Sequence, residues 1–206
     1  MAKKTEKKRP ERLFVGGVPY QLVEHPYTGE PHRHISYSDY VEQEISITQG
    51  VPFPRWLSYL SGEIAYRLLD AAGKGSTANS RRLGPVLYRF FRENKFDWIY
   101  ADTVGEPPTT LFVNGLPYVL IAPDDAYLEA RDRIGEIDYA MLTIRIHSKL
   151  KPEARAVTFL HEATHALLYE ARIMELCNKE AFIEPFSTLL FQLLKTNDFS
   201  FAYNGE

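Results

Sequence analysis

Only one cysteine, Cys177, occurs in 206 residues, which excludes an intrachain disulfide and leaves the fold to be held by packing. No run approaches the roughly 20 apolar residues of a membrane helix. The apolar stretch nearest the N-terminus, Leu13 to Val18, is broken by Gly16 and Gly17 and is too short for a secretory signal core. A surplus of one charge is missing too: the formal net charge is −3, so the chain as a whole has no attraction for nucleic acid or an anionic membrane. One local exception stands in residues 1–10, where Lys3, Lys4, Lys7, Lys8 and Arg9 crowd against Glu6. That composition describes a solvated, disordered tail able at most to touch phosphates weakly, and no phosphate loop, zinc knuckle or RNA-binding motif accompanies it. These absences lead us to expect a cytoplasmic protein with no membrane partner; the oligomeric state is left open.

What the chain does have is an internal echo. Hydrophobic residues make up 45%, enough for a buried core in one domain or two small ones. Leu13-Phe14-Val15-Gly16-Gly17-Val18-Pro19-Tyr20 reads onto Leu111-Phe112-Val113-Asn114-Gly115-Leu116-Pro117-Tyr118, 98 positions later. Tyr40 to Thr48 then matches Tyr139 to His147, Leu60 to Leu69 matches Phe159 to Leu168, and Pro85 to Asn94 resembles Pro185 to Asn197. Gly16-Gly17 and Asn114-Gly115 supply the positive φ angles of tight hairpin turns. Leu142, Ile144 and Ile146 alternate with Thr143 and Arg145, the period of a half-buried strand. Pro152 opens a helix with Val157, Leu160, Thr164, Leu167, Leu168 and Ala171 on one stripe; near Pro54 an equivalent helix begins and ends at Gly73. The expected fold class is α+β, two tandem copies of a β-hairpin, strand, helix, helix unit, with small sheets packed by amphipathic helices. Residues 11–103 form the first copy and 104–206 the second, joined through Gly105-Glu106-Pro107-Pro108.

The second helix of interest carries His161-Glu162-Ala163-Thr164-His165, an H-E-x-x-H arrangement. At about 100° per residue the two histidines project from one face, one turn apart, so both imidazoles can reach one tetrahedral zinc ion. Glu162, beside them, is placed to act as general base on a water activated there. A catalytic site needs a third protein ligand, and Glu180 and Glu184 follow on the next helix. We take Glu180 as ligand and Glu184 as an acceptor orienting a histidine, although Pro185 disfavours helical geometry at Glu184 and allows the two to exchange roles. Asn178 is a natural N-cap for that helix. Tyr139, Tyr169 and His147 are open alternatives for stabilising an oxyanion. The first copy has Gly62, Glu63 and Tyr66 at the motif, so it retains the glutamate and loses both imidazoles.

The second copy resembles the ImmA/IrrE-like zinc metallopeptidases, of the H-E-x-x-H gluzincin type, especially compact forms from bacteriophages and mobile elements. The matching stretches are Leu111 to Ile121, Ile137 to Ile146, Leu160 to Ala166 and Glu180 to Glu184, about half the chain. The resemblance implies a minimal zincin fold, a zinc cofactor, hydrolysis of a peptide bond in a specific intracellular protein, and a glutamate as third ligand. The first copy is then a degenerate, non-catalytic half docked on the second. The rival expectation is a non-catalytic protein-binding module with a vestigial or structural metal site.

Overall fold

The computed structural model describes residues 8–26, 35–100 and 104–203. Lys3, Lys4 and Lys7 of the basic tail thus lie outside the described residues. Arg9 does not behave as a free tail: its guanidinium bonds Glu24 and the Val51 carbonyl and lies over the Trp56 ring.

Two small mixed sheets and the helices against them make an α+β fold. The first unit runs β1 (Arg12–Val15), β2 (Val18–His25), β3 (Ser36–Asp39), β4 (Glu44–Thr48), α1 (Phe53–Ala71) and α2 (Thr77–Glu93). The second runs β5 (Thr110–Val113), β6 (Leu116–Leu120), α3 (Asp125–Glu129), β7 (Gly135–Asp138), β8 (Thr143–Ile146), α4 (Pro152–Glu170), α5 (Met174–Cys177) and α6 (Glu180–Thr196). Strand order is β1-β2-β4-β3 in one sheet and β5-β6-β8-β7 in the other, with the central pairs β2/β4 and β6/β8 parallel. The β1/β2 and β5/β6 turns each use two consecutive positive φ angles, at Gly16 and Gly17 and at Asn114 and Gly115, as their residue types demand.

Several expectations need correction. Among the described residues each unit has four strands rather than three, because Ile137 to Ile146 is a hairpin and not one strand. Leu142, at φ 52°, belongs to its turn, while Ile144 and Ile146 keep their buried alternation. The added strands β3 and β7 are four residues long with mixed polarity, which gives no period to read. Pro185 neither starts nor breaks the last helix, which continues from Glu180 to Thr196. Pro185 falls in the second turn, so the carbonyl it leaves without a partner belongs to Ala181, still at the helix start. Asn178 does not cap this helix; Lys179 occupies the cap position with no side-chain bond.

Nor are the units self-contained. Helix α2 packs against β5 and α6 against β1, so each unit sends its last helix to the other's sheet. Both sheets and all four long helices contribute to one continuous apolar core. The boundary between residues 103 and 104 separates the copies in sequence, and packing runs across it.

Candidate metal centre

Helix α4 begins with Pro152 at its first turn, where a missing N–H costs no hydrogen bond. Its buried face lies against β5, β7 and β8, and α6 packs alongside it. His161 and His165 fall on the margin of that face. The neck formed by α5 and residues 178–179 turns the chain back so that Glu180, the first residue of α6, meets them.

The three side chains converge. The two Nε2 atoms are 3.3 Å apart, His161 Nε2 is 3.1 Å from Glu180 Oε2, and His165 Nε2 is 3.5 Å from Glu180 Oε1. One ligand atom from each residue lies within 4.8 Å of the others. Zinc bonds of about 2.0–2.1 Å in tetrahedral array place ligand atoms roughly 3.3 Å apart, close to the Nε2–Nε2 separation and to that of His161 Nε2 from Glu180 Oε2. The donor chemistry fits as well. His165 Nδ1 lies 2.7 Å from the Cys177 carbonyl, which can only accept, so Nδ1 carries the proton and Nε2 presents its lone pair to the centre. Burial holds His165 below its ordinary pKa, assisted by the charges of His161 and Arg133, and favours the neutral ring that binds metal.

The orienting acceptor is therefore the Cys177 backbone and not Glu184. Glu184 lines the same cleft one turn beyond Glu180, and neither imidazole bonds to it. Of the oxyanion candidates, Tyr139 alone lines the cleft, with its hydroxyl 3.4 Å from Cys177 Sγ and its ring stacked on Tyr169 at 4.4 Å. His147 is engaged elsewhere, by Glu129 at 3.1 Å and Asp125 at 3.5 Å.

Glu162 is 6% exposed, and its carboxylate accepts no hydrogen bond among the described residues. Burial first, then the Glu180 charge, push it up to about 8, with Arg133 opposing. It opens into a cleft of about 820 Å³ that also contains both histidines, Glu180 and the edge strand β7. Gly135 was missed by sequence reasoning. A Cβ there would stand 2.7 Å from Glu162 Oε1 and 2.7 Å from Thr158 Cγ2, so only glycine lets β7 pass the carboxylate this closely. The only sequence signal was a lone glycine between Ile134 and Glu136 in a short polar segment.

No family model, curated protein or solved structure matches this chain.

Proposed function

We propose that the second unit is a zinc-dependent peptidase centre, with His161, His165 and Glu180 as ligands and Glu162 as general base. The observation that carries this reading is the convergence of both imidazole Nε2 atoms, 3.3 Å apart, on the two Glu180 carboxylate oxygens at 3.1 and 3.5 Å, facing a cleft beside the buried Glu162 carboxylate. A bound zinc ion would supply Lewis acidity, lowering the pKa of a coordinated water and polarising a carbonyl. The protein's own groups do the rest. Glu162 accepts the proton of the attacking water and returns it to the departing amine, a task suited to a carboxylate that borders the same cleft as both imidazoles. Cys177 O locks the His165 tautomer, and Gly135 leaves Glu162 room to face the cleft. The resemblance to ImmA/IrrE-like metallopeptidases supports the same reaction and a protein substrate.

The test separates metal binding from catalysis. Glu162→Gln should retain one zinc per chain and lose cleavage of a peptide library, whereas His161→Ala should lose both. Glu180→Ala should weaken zinc binding, and Glu184→Ala should leave it unchanged. Zinc held with no cleavage by the native chain would instead favour a structural site.

A further inference from the structure

The first unit contains its own version of the cleft. A cavity of about 570 Å³ lies between β3, α1 and α2, in the place the metal cleft holds between β7, α4 and α6. Ser36, Gly62, Glu63 and Tyr66 line it where Gly135, His161, Glu162 and His165 line the other, each pair 99 positions apart. Counted from the first residue of each final helix, Thr77 and Arg81 stand where Glu180 and Glu184 do. The cleft has thus kept its walls and changed its chemistry. Both imidazoles are gone, two acids have become a hydroxyl and a guanidinium, and the retained glutamate is occupied. Glu63 accepts a 2.8 Å bond from Ser36 on one oxygen and from Ser38 on the other, while Arg67 Nε donates to Ser38 at 2.8 Å. Those serines do for Glu63 what Gly135 and Ile137 cannot do for Glu162, so the first-unit carboxylate is held as an acceptor and not as a base.

We propose that this cavity is a peptide-docking site for an extended segment bearing an acidic side chain, a non-scissile stretch of the protein cut by the second unit. The last clause rests on the hydrolase reading; docking itself does not. Two observations specify the occupant. Arg81 is exposed and pairs with no acid among the described residues, so the cavity presents an uncommitted guanidinium suited to a carboxylate. Beside it, β3 is the edge of its sheet. Ile35 O accepts Thr48 N, which turns the backbone of residues 35 and 37 toward β4 and that of Ser36 and Ser38 outward. Their N–H and C=O groups have no strand partner among the described residues, and an added strand would pair with them.

The experiment uses full-length His161→Ala protein, so that neither metal nor cleavage contributes. Its probe is a fluorescein-labelled, end-blocked Thr-Val-Thr-Glu-Val-Thr-Val peptide, read by fluorescence anisotropy beside versions with Gln or Lys in place of Glu. The Glu peptide should bind about tenfold more tightly than the Gln peptide, the worth of one charge-assisted bond, and the Lys peptide more weakly still. Arg81→Glu should reverse that order and Arg81→Gln abolish it, and amide exchange should slow at Ser36 and Ser38. Equal binding of all three peptides, no binding, an order indifferent to Arg81, or protection at β7 instead of β3 would each overturn the proposal. Failure of the hydrolase reading shows separately, as zinc binding or cleavage absent from the native chain.

Discussion

The side-chain amide of Asn197 grips both backbone groups of Phe14, 183 residues away: Oδ1 accepts the Phe14 N–H at 2.8 Å and Nδ2 donates to the Phe14 carbonyl at 2.8 Å. Asn94 does the same to Phe112, at 2.8 and 2.7 Å. Each asparagine is buried, follows the last residue of its unit's final helix, and also bonds the carbonyl four residues back. The pair closes the outer edges of β1 and β5 with side chains from the opposite unit.

Asn197→Ala should therefore cost more than an ordinary surface substitution. It removes three hydrogen bonds made by a buried amide, to Phe14 N–H, Phe14 O and Leu193 O, and we expect a loss of roughly 2–4 kcal/mol in urea unfolding. A change within about 0.5 kcal/mol would mean the clasp carries no weight. Residues 104–206 expressed alone should lack a cooperative transition.

Gly135→Ala should separate geometry from metal binding. The new methyl group would displace Glu162 or β7 by enough to cut hydrolysis about a hundredfold, with zinc affinity unchanged. Gly62→Ala supplies the contrast: its Cβ meets nothing within 4 Å, so it should raise stability by about 0.5–1 kcal/mol and leave cleavage of a short peptide, one that cannot reach the first unit's cavity, alone. Equal effects of the two would show that the close approach at Glu162 is unimportant.

Metal-free protein should lose stability with rising pH. Glu162 keeps its proton up to about 8 in the folded chain against an ordinary 4.5, so between those values the folded state binds more protons than the unfolded one. Stability is greatest below 4.5 as far as this group is concerned and falls through the window by a few kcal/mol. His165 contributes a slope of opposite sign in both proteins, so the difference between native and Glu162→Gln chains isolates the glutamate. A difference that does not vary with pH would rule out the raised affinity.

Arg172 stands at φ 57° just past α4, in the left-handed region, where the first unit has Gly73 at φ 74°. Arg172→Gly should relieve about 1 kcal/mol of backbone strain and raise the melting temperature. No gain would indicate that the Arg82 bond to the Arg172 carbonyl tolerates no looser backbone.

Periodicity made much of this visible in advance. The glycine hairpins, the two 19-residue helices and the H-E-x-x-H triplet all depend on contacts within a few residues, which a linear sequence displays. Strands β3 and β7 escaped because Ser36–Asp39 and Gly135–Asp138 are short and hold their place through neighbours. Cys177's role also escaped, since it acts through a backbone carbonyl that any residue could supply. The clasp by Asn94 and Asn197 joins residues whose proximity exists only after folding.

The exchanged final helices tie the fates of the two copies together. Here the half that lacks the histidines provides the wall behind β5, and the other half seals β1 in return. Removing either half would therefore uncover an outer strand of the other's sheet and open the core the two share.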